Sequence, residues 1–440
     1  MTQNRSAVVL VFDRLGASFL GPYGNTWLET SGWNRLASES MLWEQCLSDS
    51  AELPSIYRSF WYGQHAVAGD SIPAWPSLIE RLNQAGVHTV LLTDDPVVAR
   101  HPGAKSFEEC VELTDADNTE PCEHPADCAI SQFLARLLSI QEELPEPYLI
   151  WAHSRGMAGP WDAPLESRDA FRDEEDPPAY EGVEPPRLRL PAGYDPDQVF
   201  PWVQAYAAQV QLLDVALQCY LDDPRRLETT ALAVTSARGF PLGEHRMVGE
   251  VESSEDSSAC GISPHETGNA QPLGTTSIDS KSTDRLHPRL YQETLHVPLV
   301  WRDPNGNHAG WRRQDFVQHP DLPASLLAWF QLEPDPRWWG RSFLVERSAE
   351  IAASVLGRAG SRERALRTPA WFLREDRSSE ESRAELYVKP DDRYEINDIA
   401  SRCPDIVELL QSAVELFQQY VDRQQRDEMP KLPREITELF

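Results

Sequence analysis

Residues 7–12, AVVLVF, run without a polar break and deliver Asp13. An uninterrupted apolar run that ends in a carboxylate predicts a strand buried on both faces, the pattern of a parallel sheet covered by helices. In open α/β sheets, ligands gather beyond the carboxyl ends of such strands. Asp13 is therefore the first candidate functional residue, and the later segments decide what company it keeps.

Read onward, the chain alternates helix-like and strand-like stretches. Trp33, Leu36, Ala37 and Met41 recur at helical spacing behind Ser31, which predicts a helix over 30–44. Pro54 marks the first turn of another helix, whose amino end would offer free N–H groups to an anion. A helix over 77–85 stops at Gly86, and a strand over 87–93 ends at Asp94 and Asp95. Further helices are expected over 129–144, 203–221 and 322–330, and further strands over 148–153, 229–235 and 295–301. Residues 250–285 are polar and poor in apolar side chains, the composition of a disordered insertion. Strand-like pieces then lead to a helix over 405–422. The pattern implies an α/β domain over 1–332, a mixed sheet sandwiched by helices, and a smaller α+β domain over 333–440.

The balance of 70 acidic against 40 basic residues, a formal net charge of −30, argues against a nucleic-acid partner, because phosphate affinity needs clustered Lys and Arg. No apolar run approaches membrane-spanning length, and the opening MTQNRS lacks the features of a secretory leader, so no membrane association and a cytoplasmic location are expected. The seven cysteines are odd in number and lack C-x-x-C pairing, which favours reduced thiols. Cys110, Cys122 and Cys128 with His124 could be imagined as metal ligands, but their irregular spacing favours coincidence.

Several segments, in order, carry a resemblance. VVLVFDRLGASFLGPYGN, ELPSIYRSFWYG, IWAHSRGMAGPWDAP, ALAVTSARGFPLGEH, RALRTPAWFLR and ELYVKPDDRYEINDIAS resemble successive segments of the sulfatase family within the alkaline-phosphatase superfamily. The resemblance implies a calcium ion held by two adjacent Asp after the first strand and by an Asp with Asn or His after a later one. It also implies a formylglycine, made from Cys or Ser, that attacks the ester.

Position by position, this chain departs from that pattern. Asp13 matches the first metal carboxylate, but its neighbour is Arg14, and the Asp-His pair of the later turn falls on Ala237 and Arg238. The nucleophile position falls on Glu52, which cannot become formylglycine. The motif's Arg falls on Ile56, with Arg58 close by on the same helix; the expected cation after strand two is replaced by Asp94 or Asp95. His153 matches the first His of its loop, Ala158 stands where a second is common, and His245 matches a frequent neighbour. One carboxylate and two guanidinium groups do not make the oxygen-rich shell that calcium needs.

The expectation is therefore a metal-free, catalytically impaired sulfatase-like protein needing no cofactor, in which Arg238 pairs with Asp13. Arg14, Arg58 and Arg238, with Arg155, would line a cleft for a sulfated or phosphorylated small molecule. Glu52 and His153 occupy the ancestral catalytic positions. The alternative is an active sulfuric- or phosphoric-ester hydrolase with a rearranged site, the one reading in which calcium returns; a subunit that pairs with an active homologue is a third. The sequence sets no oligomeric state.

Overall fold

The computed structural model describes residues 5–114, 118–249, 290–345, 351–356, 363–377 and 383–438. The expected insertion at 250–285 lies outside the described residues. β1 (Ser6–Phe12) runs through the middle of an eight-stranded mixed sheet. Ala7, Val9 and Val11 enter one apolar layer and Val8, Leu10 and Phe12 the other, each 1 % exposed or less. Because successive side chains point to opposite faces, a strand covered on both sides is apolar on both of them, and its polar residues gather at its ends.

The other strands of this sheet are β2 (Met41–Trp43), β3 (His88–Thr93), β4 (Glu109–Glu112), β5 (Tyr148–Ser154), β6 (Thr230–Ser236), β7 (Leu299–Arg302) and β8 (Arg312–Arg313). Their spatial order is β8-β2-β7-β6-β1-β5-β3-β4. β6, β1, β5, β3 and β4 are parallel, and β7 turns antiparallel against β6. Helices α1 (Ser31–Ser38), α4 (Ala129–Glu143) and α5 (Phe200–Leu221) cover the Leu10 face. Helices α2 (Leu53–Tyr62), α3 (Leu78–Gln84) and α6 (Asp321–Trp329) cover the Val9 face.

Local chemistry sets the helix ends. α3 opens on a capping box in which the Ser77 hydroxyl accepts from the Glu80 N–H and the Glu80 carboxylate accepts from the Ser77 N–H. α2 has Pro54 in its first turn and closes at Gly63, whose φ of 60° is left-handed. A Cβ at Gly63 would also lie 2.6 Å from the Trp338 ring, so both the backbone and the space exclude a side chain.

Two sequence expectations need correction. The helix expected over 30–44 ends at Ser38, and Met41 instead starts β2, paired with Trp301. Its apolar spacing suited a helix, but the ladder to β7 claims it and turns it into the opposite core layer from Leu36. The strand expected over 295–301 begins only at Leu299: Gln292–Leu295 is a helical turn, and Pro298 has no N–H for the ladder.

The carboxyl-terminal unit is an antiparallel sheet of β9 (Ala352–Leu356), β10 (Glu363–Arg367), β11 (Trp371–Asp376) and β12 (Arg383–Val388), followed by α7 (Pro404–Arg423). Leu366, Leu373 and Leu386 pack on Leu410, Val414 and Phe417 of α7. Ala365, Phe372 and Tyr387, on the other face, pack on Leu47, Tyr291 and Phe316 of the large unit. No helix among the described residues is long and apolar enough to cross a membrane.

Candidate anion site at the strand ends

The parallel register brings the candidates together. Phe12 lies beside Ser154 on one side and Ser236 on the other, and Thr93 lies beside His153. The residues that follow these strand ends, Asp13 and Arg14, Asp94 and Asp95, Arg155, and Ala237 and Arg238, therefore emerge along one edge.

Asp13 is 1 % exposed, and Arg238 holds it with a two-pronged fork: Nε donates to Oδ1 at 3.2 Å and Nη2 to Oδ2 at 3.2 Å. The Arg14 N–H donates to Asp13 Oδ1 at 3.1 Å, and its guanidinium Nε stands 3.9 Å from Oδ2. Arg14 has a φ of 63°, a conformation that costs a residue with a side chain about 1 kcal/mol or more. Tyr206 Oη holds it there by donating to the Arg14 carbonyl at 2.7 Å, and the guanidinium lies 5.9 Å from the Phe240 ring centre. Gly156, at φ 52°, packs on the Asp13 backbone so closely that a Cβ would come within 3.1 Å of its carbonyl. Arg238 also donates to the Ala51 carbonyl, which ties this turn to the entry of α2.

Glu52, half-buried, is the residue before α2, and its N–H donates to Ser50 Oγ at 3.0 Å. Arg58 is buried, but its Nη2 donates to Ser55 Oγ and Asp70 Oδ1, both at 2.8 Å, so it faces the Asp70 loop rather than the Asp13 carboxylate. Burial pulls the Arg58 guanidinium below its usual range, with Asp70 opposing.

The wall behind these groups is aromatic and polar. Tyr57 and His153 are both 0 % exposed, with ring centres 5.3 Å apart. Among the described residues, neither Tyr57 Oη nor the two ring nitrogens of His153 makes a hydrogen bond of ordinary geometry. Asp95 Oδ2 lies 3.7 Å from His153 Nε2, and the Trp151 ring stands beside Tyr57. Burial pushes the Tyr57 phenol well up, and the charges of Asp95, Asp13 and Asp94 push it further.

Asp94 and Asp95 differ although adjacent. Burial raises Asp94 to about 6, despite hydrogen bonds from the Arg155 N–H and Ser154 Oγ. Asp95 meets the same burial, but His153 and the Val97 N–H outweigh it and hold the carboxyl below its ordinary value. Neighbouring carboxyls pushed apart in this way can divide into an acid and a base.

Two groups lie elsewhere or were not legible beforehand. His245 is not at the strand ends: its Nδ1 pairs with Glu293 at 2.8 Å, its Nε2 meets the Glu395 carbonyl at 2.9 Å, and its ring stacks on Tyr291. Beneath the site, buried Asp49 pairs with His319 at 3.2 Å and accepts from Ser59 Oγ and the Ala66 N–H. Burial resists ionisation of Asp49, but His319 and Ser59 hold its carboxyl low. Tyr57 had a signal in the sequence, since it sits between Pro54 and Arg58 on the helix that points at the site. Asp49 and His319 had none.

The calcium that the resemblance implies does not fit these residues. Its one retained ligand, Asp13, is already bound on both oxygens by a guanidinium and is flanked by a second. A hard cation takes six or more oxygen ligands, roughly three of them carboxylates at this position, and is repelled by two fixed positive charges.

No protein-family model matches this sequence, and no curated protein matches it. Solved structures do. The chain is similar to the phosphonate monoester hydrolase of Agrobacterium radiobacter at 14% identity and a TM-score of 0.70, covering 96% of each chain. It is similar to a protein solved with its substrate D-glucosamine-2-N,6-O-disulfate at 14% identity and a TM-score of 0.69, covering 97% of this chain and 99% of that one. A 2-O GAG sulfatase is similar at 13% identity and a TM-score of 0.66, over 98% and 95% of the two chains.

Proposed function

The chain has a sulfatase and alkaline-phosphatase-like fold, and from that premise we propose that it is a metal-free, catalytically impaired member of this architecture that binds a sulfate- or phosphate-bearing small molecule. The observation that carries the reading is the Arg238 fork on buried Asp13. It puts a fixed guanidinium where a hard cation would be needed, and Arg14 and Arg238 together outweigh Asp13 by one charge. Guanidinium forks match the geometry of sulfate and phosphate oxygens. Tyr57 Oη and the His153 ring, buried and without a hydrogen bond of ordinary geometry among the described residues, supply unmet hydrogen-bonding capacity beside it, which in folded proteins signals an ordered water or ligand.

The same residues argue against turnover. Glu52 offers no hydroxyl or thiol at the start of α2, so the ester has no nucleophile of the expected kind. The ligand is anionic, and nucleic acid and membranes are not part of the reading. A reducing, cytoplasmic setting is, since no disulfide joins the cysteines among the described residues.

One observation favours a second reading as a working hydrolase, the split between Asp94 and Asp95 beside His153. Hydrolysis of an aryl sulfate and an aryl phosphate, scanned with calcium and other divalent ions, separates the two. The first reading expects no turnover under any of these conditions. Turnover lost in Asp13→Ala would replace it with the second.

A further inference from the structure

Away from the strand ends, two cysteines and a carboxylate converge. The Sγ atoms of Cys122 and Cys128 and a carboxylate oxygen of Asp162 lie within 4.8 Å of one another. Cys128 and Asp162 are fully buried and Cys122 half-buried. Cys110, the third cysteine of this region, is exposed on β4 and takes no part.

Asp162 is held in place from several directions. Its Oδ2 accepts from Asn118 Nδ2 at 2.8 Å and from the Ala129 N–H at 2.7 Å, and its Oδ1 accepts from Gln209 Nε2 at 3.2 Å. The Cys122 N–H donates to the Asp162 carbonyl at 2.9 Å, and Cys128 Sγ donates to the same carbonyl at 3.4 Å. Donors of this kind orient a metal-ligating carboxylate and fix which lone pairs remain for the ion. His124, exposed and two residues after Cys122, lies on the same turn but outside this cluster, so its ring would have to swing inward to act as a fourth ligand.

We propose that Cys122, Cys128 and Asp162, completed by His124, form a structural zinc site that fastens the turn before α4 to the loop after β5. Two sulfurs, an oxygen and a nitrogen suit tetrahedral zinc, whose ligand atoms stand roughly 3.3–3.8 Å apart, a small contraction for the two sulfurs and the oxygen of the observed cluster and an inward turn for the His124 ring. On loading, each thiol gives its proton to solvent and its sulfur bonds the ion, with no change in oxidation state. Two thiolates, one carboxylate and a neutral imidazole around a divalent ion carry one net negative charge. Cys128 directly precedes α4, whose positive amino end stabilises that charge. A disulfide would need the sulfurs to close to about 2.05 Å.

The test incubates the full chain with zinc, removes free ion by gel filtration and measures bound metal by atomic emission; cobalt replaces zinc for spectroscopy. The site expects about one zinc per chain, a thiolate-to-cobalt charge-transfer band, and zinc protection of two thiols from a disulfide reagent. Cys122→Ser, which spares the buried cap at Asp162, should bind zinc at least tenfold more weakly with unchanged circular dichroism, and His124→Ala should weaken binding by about 10-fold or more. Zinc retention no greater than that of Cys122→Ser would overturn the site. So would a Cys122–Cys128 disulfide in protein isolated without oxidant, which would make the pair a redox couple.

Discussion

Replacing Arg238 by Ala removes the whole fork from a carboxylate that is 1 % exposed. At the observed 3.2 Å and an effective dielectric constant of about 20, one such charge pair attracts by about 5 kcal/mol. Desolvation of both groups offsets much of this, yet truncating one partner of a buried pair costs about 3–5 kcal/mol, because the other charge stays buried without it. Arg14 offsets a little of the loss, since its Nε lies 3.9 Å from Asp13. We therefore expect Arg238→Ala to destabilise the large unit by about 3 kcal/mol, and Arg238→Lys, which keeps the charge but not the fork, by about half as much. Denaturant unfolding at pH 7 reads these values, and adding Asp13→Ala closes a double-mutant cycle whose coupling should be about 2 kcal/mol or more. The coupling should change little between low and high salt, because a buried pair is poorly screened. An Arg238→Ala loss below about 0.5 kcal/mol, or a coupling of zero, would refute the argument that Asp13 depends on this guanidinium.

Other variants probe the neighbouring links. Asp94 is protonated up to about pH 6 in the folded protein against about 3.9 unfolded, so its ionisation costs stability as pH rises from about 4 through 6 and in full above that, at most about 3 kcal/mol. Asp94→Asn should therefore gain on the parent by about 1–3 kcal/mol at pH 7 and not at pH 4 in paired unfolding curves; an equal effect at both pH values would count against the shift. Converting Arg14 to Asp, Ala237 to Asp and Arg238 to His removes both guanidiniums and adds two carboxylates. Calorimetry should then detect calcium binding that the parent lacks; no binding would place the metal's loss in other residues. Gly63→Ala should destabilise by about 1–3 kcal/mol, since the left-handed φ of 60° and the Trp338 ring both oppose a Cβ, and a neutral result would mean that the α2 terminus relaxes freely.

How much of this was legible follows from where each signal resides. β1 announced itself because a strand buried on both faces carries a long unbroken apolar run, and its carboxylate end then marked the site. The pairing of Asp13 with Arg238 was readable only through the family resemblance, which sets both at one metal position, since 225 residues separate them and no local pattern joins them. Met41 misled because a three-residue strand has too few side chains to show its period. Arg58 lay on the right helix, but nothing in the sequence tells which face Asp70 claims. The Asp49–His319 pair was hidden because a buried polar residue looks the same as an exposed one until its neighbours are known. Cys122 and Cys128 looked unconnected for the same reason: their third partner, Asp162, is 34 residues away in sequence.

The central claim is that guanidinium groups, rather than a metal, organise the strand ends for an anion. Titrating the parent protein with sulfate by calorimetry, once with calcium and once with a chelator, tests it directly. The account predicts the same sulfate affinity in both titrations, weakened at least several-fold in Arg14→Ala. Sulfate binding that appears only with calcium would contradict it.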